Sequence, residues 1–373
     1  MTTPHHLVVG PPGHGVVRYA ELLLGAAGVP PGAVLRVARR VGAEDRGALL
    51  AGLDGLDGRD GRDERDGPGR PGTPGDSDLA RRVHLHVTDH LLGRSPEEAL
   101  QVVRGLARRG PLSLTLHDLP QPSDGAPATR RRDCYAGLVD AAVGVVVSSD
   151  HEAALLRVVT GGAGDPAGTP VRVVPLAVPA AGPRPVAAHA VDPSRPAGGN
   201  APREVAVLGW VYPGKGHVEV LAALGGLPAD VGLRVVGGAS PGHDDLLDAL
   251  AAAALAAGRP LRVDGWVPDD RLPDLLHQVD VPVFAPRHVS ASASLTTWLA
   301  AGRRPVATRS VYTEEVDRRA PGTLLLVDDE PEALADGIRR ALADPGLTRL
   351  GTAVVVGLDP AEAARLTFAG WQP

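Results

Sequence analysis

The chain has 373 residues, room for two domains that each bury a core. Hydrophobic residues make up 43% and the formal net charge is -6, which excludes a disordered chain; with no basic stripe interleaved with aromatics, it also excludes nucleic acid as a partner. No apolar run is long enough to span a bilayer, the N-terminus reads as lacking a signal peptide, and the lone Cys134 leaves no disulfide framework, so the cytoplasm is the expected compartment.

Basic residues are skewed towards arginine. Lys215 is the single lysine among 38 basic side chains. The heavy use of Ala, Gly, Pro, Val and Arg fits a GC-rich coding sequence. Where either basic residue would serve, Arg has been taken, so a surviving lysine points to a specific need.

The first half alternates short apolar runs with amphipathic stretches. His6 to Val9 predicts a strand, followed by a Gly-rich turn from Gly10 to Gly15. From Val16 to Ala27, Val16, Ala20, Leu23, Leu24 and Ala27 fall on one helical face. Val34–Val37 and Val83–Val87 read as strands. Ser95-Pro96-Glu97-Glu98 opens a helix, with Ser95 as cap, Pro96 in the first turn and Glu98 completing a capping box. Leu112–Leu116 and Val143–Val147 read as buried strands. Ser149-Asp150-His151-Glu152 is a second capping box, which accounts for Glu152 without catalysis. Two segments break the rhythm. Asp54 to Asp78 is a Gly-Arg-Asp-Pro repeat too poor in apolar residues to order itself, and reads as a disordered insertion. Pro179 to Pro202, rich in Pro, Ala and Gly, reads as a linker between domains 1–179 and 203–358.

The alternation restarts in the second half. Strands are expected at Glu204–Leu208, Leu233–Val236, Leu261–Val263, Val281–Phe284, Pro305–Ala307 and Leu324–Val327. Helices are expected near Gly216–Leu224, Asp244–Ala257, Asp270–Val279, Leu295–Ala301 and Glu332–Ala343. Residues 359–373 read as a C-terminal helix able to return to the N-terminal domain. Strands alternating with helices imply α/β architecture, with two Rossmann-like parallel-sheet domains facing each other across a cleft. Ligands bind in such clefts.

One turn carries the strongest chemistry. Gly209-Trp210-Val211-Tyr212-Pro213-Gly214-Lys215-Gly216-His217 follows a strand and opens a helix, where exposed amides and the helix dipole favour an anion. A lysine there adds a mobile charge for phosphate. The plain alternative is a surface lysine, but a cation is mildly unfavourable at a helix N-terminus, and no other lysine exists. Other patterns weaken on inspection. Gly10-Pro11-Pro12-Gly13-His14-Gly15 has Walker-like glycines, but Val16-Val17 stands where Lys-Ser/Thr belongs. His84, His86 and His90 with Asp89 lack a completing carboxylate set, so no metal is expected. The Asp-Gly repeats lack calcium-loop spacing.

The Lys215 turn resembles the Gly-Arg…Lys-Gly turn of the glycogen-synthase-like glycosyltransferases, family 4, which have the GT-B fold. Further matches follow in order. Gly237-Gly238, Asp264-Gly265-Trp266-Val267 and Asp280-Val281-Pro282-Val283 resemble the family's strand ends. Ala300-Ala301-Gly302-Arg303-Arg304-Pro305-Val306-Ala307 resembles its Ala-Cys-Gly-Lys-Pro-Val turn, and Tyr312-Thr313-Glu314-Glu315-Val316 its Pro-Glu-Val-Val step. Gly13-His14-Gly15-Val16 is similar to the acceptor-side Gly loop. Leu114-Thr115-Leu116-His117-Asp118 is similar to the Thr-x-His-Asp strand end, where the family's His reaches the donor sugar. Ser148-Ser149 and Val174-Pro175 complete the series.

The resemblance implies transfer of a sugar from a nucleoside-diphosphate sugar to an acceptor hydroxyl, with retention and without metal. The nucleotide sugar is a co-substrate and no cofactor is expected. Gly209, Lys215 and Gly216, with Arg287, His288, Ser290, Ser292, Ser294 and Thr297, form the expected donor and phosphate-binding set. His117 and Lys215 are the expected catalytic pair, and Gly13, His14 and Gly15 the acceptor-side loop. The residues alone leave alternatives: His117 as a strand-end histidine satisfied by a neighbour, Asp118 as a turn cap, and Ser290 to Ser294 as a solvated loop with a helix cap. Three departures stand out. Trp210 replaces the family's Arg, and Val289 and Thr297 occupy the positions of its two glutamates. Cell-envelope glycan or secondary-metabolite glycosylation is the expected setting, and a lipid acceptor would bring the protein to a membrane surface. A non-catalytic partner of another transferase and a nucleotide-sugar epimerase are the competing readings.

Overall fold

The computed structural model describes residues 4–60, 82–161, 168–179, 202–240, 242–351, 354 and 356–370. The chain divides into two compact units, Met1–Leu176 with Leu358–Pro373, and Ala177–Gly357. Among the described residues no helix is long and apolar enough to cross a membrane.

The first unit contains β1 (His5–Val9), α1 (Gly15–Ala26), β2 (Val34–Val37), α2 (Arg46–Asp60), β3 (Val83–Val87), α3 (Asp89–Leu92), α4 (Pro96–Ala107), β4 (Leu112–Leu116), α5 (Ala128–Ala141), β5 (Gly144–Val147), α6 (Asp150–Val159) and β6 (Val171–Val173). Its six strands are parallel, in the order β2-β1-β3-β4-β5-β6. Alternation sorts side chains onto two faces. Leu7, Val9, Leu85, Leu114 and Leu116 join the main apolar core. The opposite face is polar at its centre: His6 registers with His84, His84 with Ser113, and His86 with Thr115. All five of these side chains are buried.

The second unit contains β7 (Arg203–Leu208), α7 (His217–Ala223), β8 (Val231–Val236), α8 (Asp244–Ala256), β9 (Leu261–Val263), α9 (Leu272–Gln278), β10 (Val281–Phe284), α10 (Ala293–Ala300), β11 (Val306–Thr308), α11 (Val311–Arg319), β12 (Leu325–Val327) and α12 (Pro331–Ala343). The parallel order is β12-β11-β10-β7-β8-β9. Val205 and Val207 enter one apolar cluster, while Ala206 and Leu208 enter another. β7 is therefore buried on both faces, as a central parallel strand must be. The chain runs outward from β7 through β8 and β9, then resumes on the other side at β10. The strand order reverses between β7 and β10, where open α/β sheets bind ligands.

The last helix, α13 (Pro360–Phe368), belongs to the first unit. Arg172 of β6 donates to its terminal carbonyls at Leu366 (2.6 Å) and Ala369 (3.3 Å). The Phe368 ring meets His6 edge-on at 4.5 Å and lies 5.2 Å from His84.

Several local expectations need correction. The segment from Asp54 to Asp60 is the end of α2, not an insertion; Leu49, Leu53 and Leu56 are buried at helical spacing, and Asp54 accepts from Arg109 at 2.8 Å. Residues 61–78 of that segment, and 180–201 of the linker, lie outside the described residues. α1 buries Val17 rather than Val16, and Ala27 is exposed. At both expected capping boxes the Ser hydroxyl caps the helix, accepting from Glu98 N and Glu152 N, and the glutamate carboxylates accept from one residue before the cap, Arg94 N and Ser148 N. α5 and α11 have no counterpart among the expected helices.

Candidate functional site

In the second unit the turn after β7 is shaped by glycines. Gly209, Gly214 and Gly216 have φ of +111°, +80° and +103°. A Cβ at Gly216 would lie 2.4 Å from the Ala285 carbonyl oxygen, so only glycine lets this turn press against the end of β10. Arg287 N donates to Gly214 O at 2.9 Å and ties the two loops together. Across this junction Lys215 Nζ donates to Ser294 Oγ at 2.8 Å. Lys215 is 7% exposed, and burial lowers its pKa to about 8. The rings of Tyr212 and Phe284 each lie 5.8 Å from its ammonium. Among the described residues no carboxylate pairs with it. A buried ammonium held by one hydroxyl and two ring faces retains capacity for an anion.

Ser292 caps α10, accepting from Leu295 N at 3.3 Å, and its hydroxyl also lies 3.0 Å from Ser294 Oγ. The Ser292 amide donates to the Tyr312 hydroxyl at 3.2 Å and is thus already spent. Ser290 is buried. The first-turn amides of Ala293 and Ser294 have no intrahelical acceptor and are the donors this loop retains. Ser292 is therefore a helix cap and Ser294 bonds the lysine, while Ser290 and Ser292 are buried rather than solvated.

Other expected donor residues divide. Arg287 and His288 pack beside Gly214, within 3.9 Å of where its Cβ would stand. The Arg287 charge is already paired, Nε lying 2.6 Å from Glu219 Oε1 of α7. Thr297 donates to the Ala293 carbonyl at 2.8 Å within its own helix, and Val289 packs against an apolar cluster. Neither position offers a carboxylate. Trp210, 47% exposed, stands free at the turn.

In the first unit His117 follows β4. Its amide donates to Val87 O at 2.8 Å and its carbonyl accepts from the Tyr135 hydroxyl at 2.6 Å. Its ring Nε2 lies 3.1 Å from His86 Nδ1, so it is satisfied by a neighbour on the edge it shares with β3. Burial lowers the His117 pKa to about 4, assisted by His14. His14 caps α1, its Nδ1 accepting from Val16 N at 3.3 Å. A Cβ at Gly13 or Gly15 would meet nothing within 4 Å, so the loop presents open space there. His84 is separate from His90: its nitrogens bond Ser113 Oγ (2.9 Å) and Thr115 Oγ1 (3.0 Å). The metal-capable group among the described residues is instead Asp89, His90 and Asp118, and Arg131 bonds both of its carboxylates.

Residues 202–344 match the family model described as glycosyl transferases group 1. A search of the curated proteins by sequence gives no significant match. Solved structures align over nearly the whole chain. HepE from Anabaena, in complex with UDP and glucose, has a TM-score of 0.63 at 15% identity, covering 98% of this chain and 96% of that one. Sucrose-phosphate synthase from Thermosynechococcus elongatus has a TM-score of 0.61 at 18% identity, covering 98% and 95%. An α,α-trehalose 6-phosphate synthase from Burkholderia multivorans has a TM-score of 0.58 at 14% identity, covering 99% and 93%. The fold is GT-B.

In this GT-B chain sequence reasoning missed Arg131. It is 6% exposed and bonds the Asp89 carboxylate through two nitrogens, the Asp118 carbonyl at 2.6 Å, Asp118 Oδ2 at 3.0 Å, and Asp124. Asp118 has φ of +53°, the left-handed region that a non-glycine residue enters at a cost. Asp118 is thus an arginine partner in a strained turn and not a simple cap. His217 was also missed. It is 3% exposed, and neither ring nitrogen has a partner among the described residues. Burial, then Lys215, lowers its pKa to about 3.

Proposed function

We propose that this protein is a divergent member of glycosyltransferase family 4 that moves a sugar from a nucleoside-diphosphate sugar to an acceptor hydroxyl, with retention and without a metal ion. The observation that carries this reading is Lys215: a buried, carboxylate-free ammonium at the strand-order reversal, beside the α10 N-terminus. Cleavage of the donor develops negative charge on the leaving diphosphate. Fixed cationic and N–H donors aimed at that charge lower the barrier most. Lys215, Ser294 and the first-turn amides of α10 supply them in the second unit. His117 meets the donor sugar, and the loop Gly13 to Gly15 receives the acceptor. The leaving phosphate takes the acceptor's proton, so no separate base is assigned. The products expected are cell-envelope glycans or glycosylated secondary metabolites.

A thermal-shift screen with UDP-, GDP-, ADP- and dTDP-sugars tests the reading, run beside Lys215→Ala. At least one nucleotide sugar raises the melting temperature of the wild type, and the variant loses that response. No response to any donor, with the variant indistinguishable, would end it.

A second reading has its own observation. Thr297 spends its hydroxyl on its own helix and Val289 lies in an apolar cluster, which fits a non-catalytic partner that binds nucleotide sugars without cleaving them. Release of nucleoside diphosphate separates the two. Release of free nucleotide with an altered sugar and no acceptor would instead identify an epimerase.

A further inference from the structure

The buried row on the polar face of the first sheet contains one hydrogen bond between two imidazoles. His86 Nδ1 and His117 Nε2 are 3.1 Å apart, with ring planes inclined by 18°. A bond between neutral imidazoles carries one proton, so one ring donates and the other accepts. What surrounds each ring decides which. His86 is 6% exposed; its Nε2 is wholly buried and has no partner among the described residues. His84 and Tyr19 pack edge-on against it at 5.2 and 6.0 Å between ring centres. If His117 donated, His86 would have to carry its proton on that buried Nε2, an N–H with no acceptor among the described residues. If His86 donates, Nε2 is a bare lone pair, and an orphaned buried N–H is rarer than an under-satisfied acceptor. His117 then accepts at Nε2 and must hold its own proton on Nδ1.

We propose that His86 is a positioning residue: its Nδ1–H donates to His117 Nε2 and so fixes His117 as a neutral Nδ1–H tautomer, which offers an N–H and not a lone pair to a sugar hydroxyl. This rests on the reading of His117 as the group that meets the donor. The main-chain bonds of His117 to Val87 O and from Tyr135 fix the backbone; His86 fixes the ring and its proton. The titratable groups around the pair are His84 on β3, His6 on β1, and His14 and Tyr19 on the α1 side. Burial opposes a charge on His84, His86 and His117 alike. The pair therefore works as neutral rings, and the tautomer, not the charge, is what His86 controls.

The test is made on the full chain by nitrogen-15 NMR of the histidine side chains, with His117 resonances assigned through His117→Gln. The wild type shows His117 protonated on Nδ1 at neutral pH. His86→Asn, whose amide can donate from the Nδ1 position, preserves that tautomer. His86→Phe gives a mixed or Nε2-protonated His117 and lowers kcat/KM for the nucleotide sugar about tenfold, while UDP affinity stays within about twofold. A wild-type His117 protonated on Nε2, or a tautomer unchanged in His86→Phe, overturns the proposal. If His86→Phe does not fold, the wild-type and His86→Asn spectra still decide. A wild type that neither binds nor cleaves any nucleotide sugar defeats the functional reading, and the tautomer measurement then stands by itself.

Discussion

Lys215 Nζ donates to Ser294 Oγ at 2.8 Å, joining the turn after β7 to the helix after β10 where the strand order reverses. The pair holds a buried charge without a counter-ion among the described residues. Such a charge is a cost to the free protein and a gain to an anion complex. Lys215→Met should therefore weaken nucleoside-diphosphate binding about 10- to 100-fold, or about 1.4–2.8 kcal/mol, while leaving thermal stability unchanged or raised. Ser294→Ala, which removes the hydroxyl that holds the ammonium, should cost about three- to tenfold in affinity. Calorimetric titration beside melting curves checks both; a Lys215→Met protein that loses stability and keeps its affinity would make the lysine a structural residue.

The same lysine makes binding pH-dependent. Burial brings its pKa down to about 8 in the free protein, so the charged form is present below pH 8 and is lost as pH rises through it. Nucleoside-diphosphate affinity should decline between about pH 8 and 10, and Lys215→Met should flatten that limb. The stability trend runs the other way. The unfolded lysine holds its proton to about 10.4, so between these values the unfolded state binds more protons and stability rises with pH. Titrations at pH 7 and 9.5 give the affinity trend, and melts across the same range give the stability trend.

Acid should unfold the first unit early. Burial holds His6 and His117 near pKa 4 and His84 and His86 well below the ordinary value. A group whose folded pKa is depressed contributes no penalty above its unfolded pKa, about 6.5 for His. Stability is then lost as pH falls from there towards 4, because the unfolded state takes up protons that the fold refuses. His6→Leu removes one such group from beside Phe368, and should make the protein about 1–3 kcal/mol more stable than the wild type at pH 4 relative to pH 7, moving the acid limb of a pH–melting profile to lower pH. An unchanged acid limb would place the sensitivity elsewhere.

What was legible in the sequence follows from what parallel sheets require. Leu112–Leu116 and Val281–Phe284 are buried along their whole length and so read as short strands poor in charge, the second of them wholly apolar. Lys215 was legible because substitution by Arg elsewhere made it conspicuous. α2 was hidden, since Gly47, Gly52 and Gly55 dilute the spacing of Leu49, Leu53 and Leu56, although Leu35 fills the room that Gly52 leaves. α5 was hidden because Arg130, Arg131 and Arg132 look like a solvated run, whereas Arg131 is buried by Asp89, Asp118 and Asp124. Pairings between separate elements, such as His86 with His117 and the Ser292 amide with Tyr312, join residues that only the fold brings together. No local pattern announces them.

Arg303 gives a final prediction, because it is a buried cation that serves structure. Its side chain is 1% exposed. Nη1 donates to Leu276 O (2.7 Å) and Val279 O (2.8 Å), Nη2 to Asp280 O (3.2 Å) and Thr348 Oγ1 (3.1 Å), and Nε to Thr348 O (3.2 Å). The guanidinium thus closes the C-terminal end of α9, whose last carbonyls lack intrahelical donors. It also pins the chain at Thr348 to the start of β11. Lysine has three donors on one atom and cannot reproduce this spread. Arg303→Lys should cost about 2 kcal/mol and Arg303→Ala about 3–5 kcal/mol, since each lost bond leaves a buried carbonyl unsatisfied. Near pH 7, nucleoside-diphosphate affinity of the folded Arg303→Lys protein should match the wild type, because no bond of this residue reaches Lys215 or Ser294. Denaturant unfolding with parallel titration checks the separation; a variant that stays stable and loses affinity would move Arg303 into the anion site.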